Sequence, residues 1–262
     1  MTNTEPARRK PRLFFVIAIR VSHGQATAQS FIALSSFAAM PRYIDISTWP
    51  RRDTFEFFRG FDKPYFNVGT SLDVTNLVAE IKKRPGASLS LAYHYFALRV
   101  VNEIEPFRYR LRGDQVLVHD VIHGGTTLLL PNETFIMSYF DYQEDFAQFM
   151  TDAMREIEKQ RVAAAFDPRP EDDRIHFSVM PWISFTSFSH ARNWGREDSV
   201  PKMAFGKISE VQGRRMMPFS VEVHHAMMDG ITVGRYLDRL QEMLLQPADV
   251  MSNARAAERA TS

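Results

Sequence analysis

Two adjacent histidines, which follow an apolar alternation, are the residues best suited to chemistry in this sequence. Residues 219–223 alternate with the period of a strand, and a helical period begins after Gly230. His225 is therefore predicted on the turn between a strand and a helix, where an imidazole with a pKa near neutrality can act as a general base. His224 continues the strand and faces the opposite side, so we predict His225 as the base. Asp229 follows four residues later, where an aspartate is often only a helix N-cap.

The composition is that of a globular protein and excludes several classes of function. Of the 262 residues, 45% are hydrophobic and 24% are charged, which suffices for a sizeable core. The 32 basic and 31 acidic residues give a net charge of +1, so we expect neither nucleic acid nor a membrane as a partner. The absence of cysteine excludes disulfides and cysteine nucleophiles and favours a reducing compartment, the cytoplasm.

The first 40 residues differ from the remainder. The apolar run at residues 13–19 follows basic residues, as in a signal peptide, but Arg20 and His23 interrupt the pattern at once. We expect residues 1–40 to be a loosely ordered extension or a mis-assigned start, with Met40 as an alternative first residue. Residues 41–247 are predicted to form a single domain, and residues 248–262 a flexible tail.

Helical and strand periods alternate along the domain, which predicts an α/β fold. The predicted helices are residues 54–61, 75–83, 90–102, 144–161 and a final helix after Gly230. The predicted strands are residues 65–73, 107–111, 116–118, 126–130, 134–140, 175–180, 182–188, 203–208 and 216–224. A β-hairpin is predicted at Gly113-Asp114, and a polar loop at residues 189–199.

The other histidines of the domain show no spacing of the His-Glu-x-x-His type, so we predict no metal. Ordinary structural or surface roles are expected for His94, His119, His123, His176 and His190.

Three separated segments together resemble one family, the chloramphenicol acetyltransferases. Its histidine segment has the pattern His-His-Ala, two variable residues and Asp-Gly, which residues 224–230 match. Two further stretches are similar to conserved family segments: Pro181-Trp182-Ile183-Ser184-Phe185-Thr186-Ser187-Phe188, and Asp45-Ile46-Ser47 with Trp49, Arg51 and Phe55-Glu56. The likeness runs from about Tyr43 to about Gln246. It implies a two-layer sandwich in which helices cover a mixed β-sheet.

The resemblance also implies roles for five residues. His225 would remove the proton from a substrate hydroxyl, which then attacks the thioester of acetyl-CoA, while Ser187 would hydrogen-bond the oxyanion. Asp229 would pair with Arg51 and so hold the histidine turn against the N-terminal segment. Lys207 would lie near the cofactor and meet a CoA phosphate. Family members are trimers with active sites between subunits, so we expect a homotrimer.

Ala204 departs from the family pattern. In the well-known resistance enzymes this position carries a threonine that helps to order the transition state through water. Losing one such hydrogen bond costs on the order of 1 kcal/mol. The expected reaction is therefore acetyl transfer to chloramphenicol or to a similar small apolar alcohol, and the acceptor remains open.

Other functions compete with this interpretation. A non-catalytic family member would bind and sequester an apolar ligand, and Ala204 motivates that alternative. The acyltransferase core of a 2-oxoacid dehydrogenase complex shares the histidine-to-Asp-Gly motif, but no Pro/Ala linker is present in the sequence.

Four methionines lie close enough in sequence to His225 to line an acceptor pocket: Met216, Met217, Met227 and Met228.

Overall fold

A computed structural model describes residues 41–192 and 198–252. The predicted extension at residues 1–40 lies outside these residues. The described strands are β1 (Arg42–Tyr43), β2 (Tyr65–Asp73), β3 (Tyr109–Arg112), β4 (Gln115–Val118), β5 (His123–Leu129), β6 (Phe135–Phe140), β7 (Arg174–Val179), β8 (Lys202–Phe205), β9 (Ser209–Val211) and β10 (Arg214–His224). The described helices are α1 (Arg52–Arg59), α2 (Thr75–Lys82), α3 (Leu89–Glu103), α4 (Phe146–Ala163), α5 (Gly230–Leu245) and α6 (Pro247–Met251), with a 3₁₀ turn at Glu105–Arg108.

The main sheet is mixed, as predicted. Its strand order is β2-β10-β8-β7-β5-β6, and β9 extends it by pairing with β10. Strands β5, β7 and β8 run parallel to one another, whereas β2, β8 and β9 pair antiparallel with β10. A second sheet has the order β1-β4-β3, and its β3–β4 hairpin turns at Gly113, whose φ of +58° suits glycine. The α/β sandwich of the sequence analysis is confirmed.

The two faces of strand β10 have different surroundings: one packs in the apolar core and the other contacts polar and irregular backbone. Phe219, Val221 and Val223 are fully buried in the apolar core beside the helices. The alternate residues, Ser220 and Glu222, contact the segment 188–192 on the other face of the sheet. His224 therefore ends β10 on the face of Ser220 and Glu222, and His225 follows on the turn toward α5.

Two predicted elements differ from the structure. Residues 182–188 form a turn and an irregular segment, not a strand. The alternation of large and small residues misled the prediction, since the segment lies across the sheet and leaves Trp182 and Ile183 exposed. Residues 248–251 of the predicted tail belong to the helix Pro247–Met251, in which Met251 is buried, and residues 253–262 lie outside the described part of the chain. None of the described helices combines the length and apolar character needed to cross a membrane.

Gly69 of β2 allows the irregular segment to lie against the sheet. A Cβ at this position would stand 2.8 Å from the carbonyl oxygen of Thr186. We expect Gly69→Ala to lower the free energy of unfolding by about 1–3 kcal/mol, because backbone must move to admit the methyl group.

The matched control is Gly234→Ala in α5, where an added Cβ meets no atom within 4 Å. This variant is expected to gain up to about 1 kcal/mol from helix propensity. Urea denaturation measures both changes, and equal stability of Gly69→Ala and the wild type would contradict the assigned contact.

Candidate active site

An ion pair joins the N-terminal segment to the histidine turn. The Arg51 guanidinium donates through Nη1 to Asp229 Oδ2 and through Nη2 to the carbonyl oxygen of His225, at 3.1 Å. Asp229 occupies the N-cap position of α5, yet its carboxylate turns to Arg51 instead of capping the helix. The positive end of the helix dipole favours a carboxylate there. One arginine thus binds both the backbone and the side chain of the turn.

The His225 imidazole is fixed by contacts on several sides. Its ring stacks on Phe58 of α1 with centroids 3.8 Å apart and planes within 8°, and it meets Phe66 at 4.7 Å. The backbone N–H of His225 donates to the carbonyl oxygen of Pro64 at 2.6 Å. Nδ1 lies 3.3 Å from Asp229 Oδ1. Among the described residues neither ring nitrogen makes a hydrogen bond, and Nδ1 is buried beside Asp229, so Nε2 is the nitrogen available to a substrate.

His224 is held by contacts within the chain. Its side chain is buried, and Nδ1 accepts a hydrogen bond from the backbone N–H of Ala226 at 3.2 Å. Its ring meets Tyr65 edge-on, and Tyr65 in turn stacks under the Arg192 guanidinium. Burial, and next the charge of Arg192, lowers the pKa of His224 to about 4. The imidazole is therefore neutral near pH 7.

Ser187 and Lys207 both belong to the irregular segment or contact it. Ser187 is exposed on the irregular segment, and its Cα lies 3.9 Å from where a Cβ of Gly69 would be. Lys207 is also exposed, and its backbone N–H donates to the carbonyl oxygen of Ile183 at 2.8 Å. Gly206 permits this approach, since an added Cβ would stand 3.0 Å from the same oxygen. The segment that carries Ser187 is thus joined to the residue that carries the candidate cofactor lysine.

Within one chain, the sheet separates Ser187 from His225. The irregular segment lies on the face of Ser220 and Glu222, whereas His225 stacks against α1 on the opposite side. Along β2, Gly69 pairs with Ser220 and Tyr65 pairs with His224, a separation of four residues or about 13 Å. A single copy does not bring the predicted base and the predicted oxyanion donor together.

A cavity of about 820 Å³ adjoins the Ser187 segment. Its walls are mostly apolar and come from β5, β7, α3, α4 and the irregular segment, including Leu128, Ile157, Val179, Trp182 and Phe188. Pockets of this size and character hold small organic ligands. Of the methionines proposed for an acceptor pocket, Met217, Met227 and Met228 are instead buried in the core.

Ala204 is fully buried on β8. Its cross-strand neighbours are Ser178 on β7 and Ser220 on β10, so two hydroxyl groups flank the position where the side chain has none. Ser178 lines the cavity, and Ser220 donates to Asn67 Oδ1 at 3.0 Å.

Two features of the site were missed by sequence reasoning. Phe58, which stacks on His225, lies 167 positions earlier in the chain, and no local pattern indicates that contact. The approach of Asp229 to Nδ1 was also missed, although the i,i+4 spacing and the helix start at Gly230 were available signals.

Comparison with known proteins identifies the class of protein. The family model described as chloramphenicol acetyltransferase matches residues 41–241. A chloramphenicol acetyltransferase of Streptomyces acrimycini is 33% identical over 79% of this chain and 96% of its own length. Chloramphenicol acetyltransferase 3 of Escherichia coli is 29% identical over 76% of this chain and 94% of its own length.

Comparison with solved structures gives the same resemblance. A chloramphenicol acetyltransferase structure superimposes with a TM-score of 0.71 at 28% identity, covering 78% of this chain and 100% of that chain. The dihydrolipoamide acetyltransferase of Azotobacter vinelandii shares the fold alone, with a TM-score of 0.57 at 19% identity over 76% of this chain and 88% of its own. The fold and the matches define an acyltransferase. The chain belongs to the chloramphenicol acetyltransferase family.

The neutral state of His224 predicts a dependence of stability on pH. Its pKa is lowered from 6.5 to about 4 on folding, so between these values the unfolded chain binds the proton and the folded chain does not. The free energy of unfolding is expected to fall as the pH drops through this window, by up to about 1.4 kcal/mol per pH unit from this residue.

The variant His224→Asn keeps an acceptor for the Ala226 N–H and removes the titration. Urea denaturation at several pH values between 7 and 4 should give it a shallower slope than the wild type. The same slope in both proteins would show that His224 does not titrate on unfolding.

Proposed function

We propose that this protein transfers the acetyl group of acetyl-CoA to a hydroxyl group of chloramphenicol or of a similar small apolar alcohol. The observation that carries the proposal is the setting of His225. Its ring is fixed by Phe58, its Nδ1 faces Asp229, and its Nε2 is left without a partner among the described residues. A base needs a ring held in one orientation and one nitrogen free to receive a proton.

The reaction proceeds without a covalent enzyme intermediate. His225 Nε2 takes the proton of the substrate hydroxyl while the hydroxyl oxygen attacks the thioester carbonyl carbon of acetyl-CoA. The C–O bond forms, and the carbonyl oxygen becomes an oxyanion that accepts a hydrogen bond from the Ser187 hydroxyl. Collapse breaks the C–S bond, and the imidazolium returns the proton to the CoA sulfur. Asp229 stabilises the imidazolium and, with Arg51, holds it in place.

The proposed active unit is a homotrimer with sites between subunits. The separation of Ser187 from His225 within one chain supports it, because a complete site then needs Ser187 of a second copy. Exposed apolar side chains support it as well: Phe57 and Phe61 contact Phe58, the residue that stacks on His225, while Trp182 and Ile183 belong to the Ser187 segment. Two different apolar patches that cover each other form a head-to-tail interface, and such interfaces close into rings.

Lys207 is proposed to meet a phosphate of CoA. Its exposed side chain starts from backbone that is hydrogen-bonded to the segment of Ser187, so a cofactor bound there would have its thioester near the proposed oxyanion donor. The apolar cavity beyond this segment is the proposed binding site of the acceptor.

We propose that the protein acts in the cytoplasm.

The central test is release of CoA thiol from acetyl-CoA in the presence of chloramphenicol. We expect His225→Ala to abolish measurable release because it removes the proposed base, and Ser187→Ala to lower kcat by about 10²–10³-fold through loss of the oxyanion donor. The matched control is His224→Asn, which changes the adjacent histidine and is expected to retain activity.

Three results would count against the proposal. Release of thiol by His225→Ala at the wild-type rate would exclude this base. Loss of activity in His224→Asn equal to that in His225→Ala would show that the reaction needs His224 as much as His225, which contradicts the assignment of His225 alone as the base. Tight chloramphenicol binding with no thiol release from any hydroxylated acceptor would favour the non-catalytic alternative that Ala204 suggests.

A further inference from the structure

One polar pair lies in the wall of the apolar cavity. His94 of α3 and Thr126 of β5 both line it, although His94 is only 1% exposed and Thr126 only 9%. His94 Nε2 lies 3.2 Å from Thr126 Oγ1, and His94 Nδ1 lies 2.7 Å from the carbonyl oxygen of Ser90. Neither residue has a part in the proposed proton transfer.

The contacts of His94 fix the direction of these hydrogen bonds. The Ser90 carbonyl oxygen only accepts, so Nδ1 must carry a hydrogen and donate it. Burial lowers the pKa of His94 to about 4, so the ring is neutral near pH 7 and Nε2 carries a lone pair. The Thr126 hydroxyl must therefore donate to Nε2. Its oxygen is left with lone pairs and no hydrogen for a ligand.

The imidazole cannot easily turn away from this arrangement. Aromatic rings enclose it, with Tyr93 stacked at 5.0 Å and Phe177, Phe205 and Phe140 edge-on at 4.9, 5.1 and 5.6 Å. A rotation about its bonds would also break the hydrogen bond to Ser90. His94 thus holds the Thr126 hydroxyl in one orientation at the cavity wall.

We propose that Thr126, positioned by His94, determines which alcohols the cavity accepts. Thr126 Oγ1 accepts a hydrogen bond from a second hydroxyl or an N–H group of the acceptor, and the cavity disfavours a molecule that presents a carbonyl oxygen at the same place. The substrate class is an apolar alcohol with a second hydrogen-bond donor. This inference rests on the proposed function for the identity of the reaction, but not for the binding preference.

Three alcohols that share one apolar skeleton test the preference. The first is a phenylpropanediol with a terminal and a benzylic hydroxyl, the second is phenylpropanol with the terminal hydroxyl only, and the third is the hydroxyketone in which the benzylic hydroxyl is oxidised. We expect the wild type to prefer the diol to the monoalcohol by about tenfold in kcat/KM, the effect of one hydrogen bond. The hydroxyketone should be the poorest of the three.

Thr126→Val keeps the shape of the side chain and removes the hydroxyl, so the diol preference is expected to disappear. Thr126→Ser should restore it, and Thr151→Val, on the exposed side of α4, serves as a surface control. His94→Leu frees the Thr126 hydrogen, and the order of diol and hydroxyketone should move toward the hydroxyketone. Structural damage alone would lower the rate with all three compounds and leave their order unchanged.

Calorimetric binding of the same three compounds is measured in parallel and separates this inference from the proposed function. If no thiol is released, the proposed function fails, while loss of a binding preference for the diol in Thr126→Val still supports the Thr126 assignment. If thiol is released by the wild type and not by His225→Ala, but Thr126→Val keeps the wild-type preference, the function stands and the Thr126 assignment is overturned. Absence of any diol preference in the wild type, in binding and in turnover, also overturns it.

Discussion

The ion pair between Arg51 and Asp229 is the constraint on which the site depends. These residues are 178 positions apart, and their contact fastens the turn after β10 to the segment before α1. The same arginine donates to the His225 carbonyl oxygen, so the backbone of the turn is fixed along with the carboxylate. Helix α1 begins directly after Arg51 and carries Phe58 to the His225 ring. Because misplacement of a reacting group by about 1 Å costs roughly 10²-fold in rate, the proposed role of His225 as base requires contacts that hold the imidazole in place.

A second constraint comes from the sheet itself. Strand alternation sends His224 to one face and leaves His225 at the end of the strand, against the helices. The irregular segment with Ser187 lies on the face of His224, and Gly69 and Gly206 let it approach the strands closely. The geometry that gives His225 a rigid setting thereby leaves Ser187 of the same chain, the proposed oxyanion donor, on the other side of the sheet. The homotrimer that we propose would resolve this conflict, since a neighbouring copy can present its own cavity and Ser187 to the base.

The sequence predicted most elements, because period and breakers are local signals. Strand 65–73 was predicted to the residue, since its alternation ends where the helical period of the predicted helix 75–83 begins. The segment 182–188 was predicted wrongly, because its aromatic alternation arises from lying across a sheet and not from pairing within one. The Arg51–Asp229 pair followed only from the family resemblance, since the spacing of residues so far apart in the chain carries no signal. The contact between His94 and Thr126 was not predicted for the same reason.

Mixing of two inactive variants tests most directly whether each active site is divided between two subunits. His225→Ala lacks the base and Ser187→Ala lacks the oxyanion donor, so each homotrimer has three defective sites. In randomly mixed trimers, one site in each mixed trimer combines a wild-type His225 with a wild-type Ser187 of its neighbour. Co-refolding equal amounts should then restore about a quarter of the wild-type rate of CoA release. Activity no greater than the sum of the two separate variants, in trimers shown to have mixed, would contradict the divided site.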